Sequence, residues 1–312
     1  MTVPEDRIAI LFNPSAGRGK ALKKKDRLER LLREWKVSFD LIVTASEENL
    51  RALTRECAGR YRTLAGAGGD STFHIMIDEI ARSGAVVDFG LIALGSSNDV
   101  TREFDLHSLE KACRALKGGR TKPIDLGAVE HDGEVLRYFI GQANIGLGSR
   151  VNRYVEEISG KSPRLAAFQS LVGTLGIIRS YRRKEVPLPL TIRTGEQKRE
   201  GFYVVANFSN IRFWATGRTL SPSARPDDGQ LDGCLIGECS FLRLARLAFL
   251  ARKGRHVGAP EVEFVRAPAF EISSEQRFEV QVDGEIIGGG RTPLSFRSIQ
   301  VRTVPQALHL IC

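Results

Sequence analysis

The chain is 312 residues long, with 42% apolar and 27% charged residues: enough to fill the cores of about two domains, and too apolar for a disordered chain. Lysine and arginine number 46 against 37 acids, and the formal net charge of +9 favours polyanionic partners: nucleotides, nucleic acid or an anionic membrane face. Five scattered cysteines (Cys57, Cys113, Cys234, Cys239, Cys312) without a CxxC pair, and five histidines without metal-ligand spacing, argue against a disulfide framework and a zinc site.

In chain order, Ile8 to Phe12 (IAILF) predicts a buried strand, and Asn13-Pro14-Ser15-Ala16-Gly17 a turn into a basic amphipathic helix over about 20–35. Residues 39–43 predict a second strand, and 46–60 a helix with Leu50 and Leu53 turned inward. Residues 62–66 lead into a glycine cluster, Gly66-Ala67-Gly68-Gly69-Asp70, and a helix running to about Arg82. A strand at 88–93 ends in Leu94-Gly95-Ser96-Ser97-Asn98-Asp99, and a helix at 108–117 stops at Gly118-Gly119. This alternation predicts an α/β N-terminal domain with a parallel, doubly wound sheet. Ligands bind such sheets at the carboxyl ends of strands, where the loops 13–17, 66–72 and 95–99 fall.

Beyond Ile124 the texture changes to short alternating strands, expected at 124–130, 135–145, 186–193, 200–207, 231–237, 262–265, 269–273 and 277–283. Turn signals at Asp132-Gly133, Thr194-Gly195 and Asp283-Gly284 separate several of them. Helices at about 163–183 and 240–252 interrupt the series. The second half therefore reads as mainly antiparallel β, a sandwich or a distorted barrel. The apolar run Ile8 to Phe12 is too short for a signal peptide, and Leu171 to Ile178 is far too short to span a membrane. A cytoplasmic protein with peripheral membrane contact is the expectation.

Each of the three loops is suited to phosphate. In Asn13 to Lys20 (NPSAGRGK) the glycines let the backbone close around an anion, and the following helix offers free N–H groups. This is not a Walker A loop, because the first glycine of GxxxxGK would fall on Pro14. In Gly68-Gly69-Asp70-Ser71-Thr72, Asp70 suits a Mg²⁺–phosphate unit or a nucleotide hydroxyl, and Ser71 and Thr72 can donate to phosphate oxygens. The third loop, Ser96, Asn98 and Asp99 with Arg102, repeats small residues followed by polar ones. Ordinary βα turns and helix caps are the competing readings for each loop alone; three on one sheet edge favour a site.

NPSAGRGK, GGDST and GSSND resemble the NPxxG, GGDGT and GTxND motifs of the diacylglycerol kinase catalytic family. The resemblance continues through Asp125-Leu126-Gly127, Phe139 to Gly148, the loop Pro222 to Asp232 (family DDGxLD) and Asp283-Gly284-Glu285 (family DGE), so that it covers nearly the whole chain. It implies a nucleotide-binding domain over 1–124, joined by a C-terminal return at 295–312, and a β-rich lipid domain over 125–294. It implies ATP and Mg²⁺ as cofactors, with ATP contacts at Asn13, Pro14, Ser15, Ala16, Gly17, Thr44, Gly68, Gly69, Asp70, Ser71, Thr72 and Ser96. It further implies Glu285 as general base, Asp283 and Asp70 organising metal and phosphates, and a structural magnesium on Asp228 with backbone oxygens near Arg225 and Gln230. The chain departs from the family at Ser71, at His74 and Ile75, where asparagine and glutamate are usual, and at Gly141, where asparagine is usual.

The implied activity is transfer of the γ-phosphoryl of ATP to a primary hydroxyl of a lipid, diacylglycerol first, ceramide or a sphingoid base next. A NAD-kinase-like phosphotransferase explains GGDST but neither the DDG loop nor DGE; a non-catalytic nucleotide- or lipid-binding protein is motivated by Ser71 and Ile75. Residues 240–256 set Arg243, Arg246 and Lys253 among Phe241, Leu242, Leu244, Leu247, Phe249 and Leu250. That pattern suits a helix in an anionic membrane surface, with core packing as the alternative. No nucleic-acid reader motif appears, and a homodimer is left open.

Overall fold

The computed structural model describes residues 7–161, 169–289 and 293–312. Four strands of the first half, β1 (Ile8–Phe12), β2 (Phe39–Val43), β3 (Thr63–Gly68) and β4 (Asp88–Ala93), pair in parallel in the order β2-β1-β3-β4. β1 is apolar at every position because both faces are covered. Ile8, Ile10 and Phe12 pack with Leu28 and Leu32; Ala9 and Leu11 pack with Leu50 and Phe73 on the other face. The covering helices are α1 (Lys25–Glu34), α2 (Glu47–Ala58), α3 (Asp70–Ser83), the short α4 (Asp99–Glu103) and α5 (Leu109–Gly118). Ser46 and Ser108 cap α2 and α5, accepting the N–H groups of Asn49 and Lys111.

The second half is mainly antiparallel: β5 (Thr121–His131), β6 (Glu134–Phe139), β7 (Gln142–Gly146), β8 (Leu188–Thr194), β9 (Gln197–Ser209), β10 (Phe213–Trp214), β11 (Arg218–Thr219), β12 (Leu231–Gly237), β13 (Val262–Ala267), β14 (Ala269–Phe278), β15 (Val280–Val282), β16 (Glu285–Ile286) and β17 (Phe296–Ile311). Its helices are α6 (Leu147–Lys161), α7 (Gln169–Arg182) and α8 (Phe241–Leu250). The final strand joins the halves. β17 runs antiparallel to β14 and β5, and its last residues pair in parallel with β4, His309 opposite Asp88. Where β17 breaks step, the N–H of Gln306 donates to the buried carboxylate of Asp125 at 2.8 Å. Asp125 also accepts the N–H of Gly229 at 2.7 Å, so this one acid fastens β5, β17 and the DDG loop.

Three expectations change. The strand expected at 135–145 is two strands, broken at Ile140 and Gly141, whose N–H groups turn to the Asp283 carboxylate instead of a neighbouring strand. α6 was not expected, although Val151, Tyr154, Val155 and Ile158 recur at helical spacing. The helix expected over about 163–183 is α7 from Gln169; residues 162–168 lie outside the described residues.

Candidate active site

The three glycine loops meet at the carboxyl ends of β1, β3 and β4. Asn13 ties the first loop to the second, its Nδ2 donating to Thr72 Oγ1 at 3.0 Å while its Oδ1 accepts the Ser15 N–H at 3.0 Å. The second and third loops touch backbone to backbone: a Cβ on Gly95 would stand 2.5 Å from the Cα of Gly69. Asp70 opens α3, yet its carboxylate accepts the N–H groups of Asp99 and Val100, both at 3.2 Å, and so caps α4 rather than its own helix. Asp99 accepts the N–H groups of Thr216 at 3.0 Å and Gly217 at 2.6 Å, which fastens the β10–β11 turn across the cleft. Burial first, then the neighbouring charge of Asp70, pushes the Asp99 carboxyl above its ordinary value.

These loops form one wall of a cleft of about 660 Å³. Asn13, Ser15, Ala16, Gly17, Gly69, Asp70, Ser71, Thr72, Ser96 and Asp99 all line it, with Arg18 and His74. Pro14, Thr44, Gly68 and Asn98 do not. Thr44 is buried, its hydroxyl donating to the Phe12 carbonyl at 3.2 Å. Asn98 folds back, Nδ2 donating to the Gly95 carbonyl at 3.1 Å. Both hold the backbone that carries the site.

The opposite wall comes from the second half: Asn152, Phe213, Trp214, Gln281, Asp283 and Glu285 among others. Asp283 and Gly284 form a two-residue hairpin turn with positive φ at both positions (49° and 93°), pairing Val282 with Glu285. The turn gives the two acids different fates. The side chain of Asp283 is buried and accepts the N–H groups of Ile140, Gly141 and Gln142 at 3.1, 3.0 and 2.7 Å. Gly141 leaves no room for a Cβ beside Asp283 Oδ1, which is a physical reason for glycine there. His74 Nδ1 lies 2.7 Å from Asp283 Oδ2, a charge contact not aligned as a hydrogen bond. With its oxygens so engaged, Asp283 is a structural anchor of the cleft rather than an organiser of metal and phosphates. Glu285 keeps one edge toward the cleft, its Oε2 accepting from Arg137 at 3.1 Å. Arg137 also leans on buried Asp78 at 3.6 Å.

The DDG loop is closed by protein charge. Asp228 pairs with the Arg266 guanidinium and accepts the N–H of Gln230 at 3.0 Å; Arg266 also lies 3.5 Å from Asp232. A donor set of one carboxylate, already neutralised by a guanidinium, with backbone oxygens near Arg225 and Gln230, does not fit a cation. Among the described residues no group of three acids, histidines or cysteines could hold a metal ion. Asp70 and Asp99 are neighbouring acids in the cleft; each of their oxygens accepts a single N–H group, whereas Asp283 Oδ1 accepts two and its Oδ2 also faces His74, so Asp70 and Asp99 fit a cation carried in with a nucleotide.

Beside the cleft lies an apolar cavity of about 520 Å³, walled by α8, α6, Ile177, Leu220 and Ile236. It shares Asn152, Trp214 and Gln281 with the cleft, so the two spaces adjoin. Sequence reasoning missed these three residues and Arg137. The only signal was slight: Trp214 is one of two tryptophans.

A family model described as the diacylglycerol kinase catalytic domain matches residues 7–129, and one described as the YegS C-terminal NAD kinase beta sandwich-like domain matches residues 141–312. A diacylglycerol kinase of Staphylococcus carnosus (strain TM300) is 26% identical over 303 residues, covering 94% of this chain and 92% of its own. One of Staphylococcus aureus (strain Newman) is 26% identical over 304 residues, covering 94% and 90%. A solved diacylglycerol kinase from Bacillus anthracis str. Sterne superposes with a TM-score of 0.71 at 16% identity, over 98% of this chain and 96% of that one, which speaks for the fold alone. The motifs, the two-part fold and both models agree, and the chain belongs to the diacylglycerol kinase catalytic-domain family with a YegS-type C-terminal domain.

Proposed function

We propose that the protein is a lipid kinase that moves the γ-phosphoryl of ATP to a primary hydroxyl of a long-chain lipid. The observation that carries this reading is the adjacency of two spaces. A cleft edged by three phosphate-type loops and Glu285 shares three residues with an apolar cavity. A phosphate donor and a hydrocarbon acceptor can therefore meet. Diacylglycerol is the default acceptor, because the curated relatives carry its name.

In the proposed reaction the loops 13–18, 69–72 and 95–97 hold the triphosphate through backbone N–H groups, side-chain hydroxyls and the Arg18 guanidinium. Phe213 and Trp214 offer aromatic faces on the far wall. Asp70 and Asp99 would hold Mg²⁺, which when bound screens the charge of the phosphates. Glu285, oriented by Arg137, takes the proton of the acceptor hydroxyl as its oxygen bonds to the γ-phosphorus. The bond from that phosphorus to the β–γ bridging oxygen breaks, and its electron pair leaves with ADP.

The test is transfer of radiolabelled γ-phosphate into lipid in mixed micelles with Mg²⁺. Glu285→Gln should lower turnover by about 10²–10⁴-fold and spare ATP binding. Turnover that survives this change would remove Glu285 from the mechanism; no label in any lipid would remove the kinase reading.

A further inference from the structure

We infer that Asp78, a buried acid of α3, is a positioning residue for Glu285 and acts on it through Arg137. This role rests on the lipid-kinase reading above, in which Glu285 is the base.

Asp78 does not line the cleft, and its side chain is only 2% exposed. A carboxylate so buried needs donors and countercharge around it. Its Oδ1 accepts the N–H of Tyr138 at 2.9 Å and Arg82 Nε at 3.1 Å. Its Oδ2 lies 3.6 Å from Arg137 Nε and 3.6 Å from Arg51 Nη1.

The three guanidinium groups around Asp78 have different second partners. Arg51, from α2, is hydrogen-bonded to Glu79 at 3.0 Å and Glu47 at 2.8 Å. Arg82, one turn along α3, reaches β6 and donates to the Leu136 carbonyl at 2.5 Å. Arg137, from β6, reaches the cleft: its Nη1 donates to Glu285 Oε2 at 3.1 Å. One guanidinium thus faces Asp78 with one nitrogen and Glu285 with another. Asp78 fixes Arg137 twice, at the guanidinium and at the backbone N–H of the next residue, Tyr138.

Glu285 needs such support. It stands on β16, which is two residues long, and its side chain is 31% exposed. A half-exposed glutamate keeps much of its rotamer freedom unless something holds it. A lone contact to a long arginine would move with that arginine. A guanidinium pinned at a second nitrogen holds its direction, because the group is planar and rigid. Position matters to a base: a misplacement of ~1 Å can cost about 10²-fold in rate. The competing role for Asp78 is to dock β6 on α3 and contribute stability alone.

The experiment separates the two roles with kcat and KM for radiolabelled phosphate transfer from Mg-ATP into dioleoylglycerol, ceramide and sphingosine in mixed micelles. Asp78→Asn retains an acceptor for the Tyr138 N–H and removes the charge that faces Arg137. It should lower kcat about tenfold and leave KM for ATP and for lipid within about twofold. Arg137→Met should lower kcat by about tenfold or more, and adding Asp78→Asn to it should cost less than about twofold further, because the path from Asp78 to Glu285 is already cut. Assays run well below the melting temperature of each variant. Where Asp78→Asn does not fold, Asp78→Glu, which keeps the charge but displaces the carboxylate by one methylene, takes its place with the same expected pattern. An unchanged kcat, a loss confined to KM, or the same fold-loss with and without Arg137 overturns the inference. Label that still enters lipid and falls with Glu285→Gln then leaves the kinase reading standing; no label in any lipid from the native protein overturns both.

Discussion

Gly95 shows how one residue type can be read correctly and for an incomplete reason. A glycine loop at a strand end suggests room for phosphate, but here the glycine also lets two loops touch, and no sequence pattern reports the Cα of Gly69 on the other side. Gly95→Ala should therefore cost about 1–3 kcal/mol in denaturant unfolding as the loops are pushed apart, and weaken ATP binding as well. Stability unchanged within error would mean the loops separate freely. His74 gives a second prediction. Burial disfavours its charged form, but the facing carboxylate of Asp283, with Asp70 and Glu285 nearby, outweighs this and raises its pKa above the ordinary histidine value. A base whose folded pKa is raised stabilises the fold while charged. The benefit is complete below the unfolded value of about 6.5 and is lost as pH rises through the folded one. The melting-temperature advantage of the native protein over His74→Asn should thus shrink as pH rises from below about 6.5 through the raised folded value; an advantage that grows toward alkaline pH contradicts the assignment. The sequence marks His74 as a departure from its family, yet its partner lies more than two hundred residues away and is found only by folding.

At the scale of elements, the strands and helices of the first half were legible because both structural periods are strong there. The break between β6 and β7 was not. Its residues are apolar enough for one long strand, and what divides them is a carboxylate from the Asp283 turn accepting three consecutive N–H groups. The DDG loop is a similar case. Its acids resemble a cation site, but β13 delivers Arg266 onto Asp228 and Asp232. Chelation of divalent cations from the nucleotide-free protein should leave its melting temperature unchanged, while Arg266→Gln should destabilise it by about 1–3 kcal/mol by leaving both acids without a countercharge. A fall in melting temperature on chelation, restored by Mg²⁺, would return a cation to this loop.

The whole molecule presents α8 as a helix of two characters. Leu244 and Leu247 are buried in the core, whereas Leu242 and Phe249 are 78% and 67% exposed. Arg252 sits over the Phe249 ring, and Arg243 is held by Glu261 at 2.7 and 2.8 Å. Core packing thus describes one face of this helix and leaves the other exposed. No described helix is long and apolar enough to cross a membrane. We propose that α8 rests on an anionic bilayer beside the apolar cavity it walls. In co-sedimentation with anionic vesicles at low salt, the protein should bind and the Leu242→Glu, Phe249→Glu double variant should bind at least several-fold less; equal sedimentation would exclude this face.

The sequence by itself determined the alternating first half, the antiparallel second half and the residue types of the phosphate loops, because hydrophobic period and turn chemistry are local properties of a chain. Only the tertiary structure decided which acids remain available and which are tied up. Asp283 and Glu285 are two residues apart, yet one is anchored to three backbone donors and the other faces the cleft. Likewise, the union of cleft and cavity depends on Asn152, Trp214 and Gln281, brought together from three separate segments by long-range packing that no window of sequence contains.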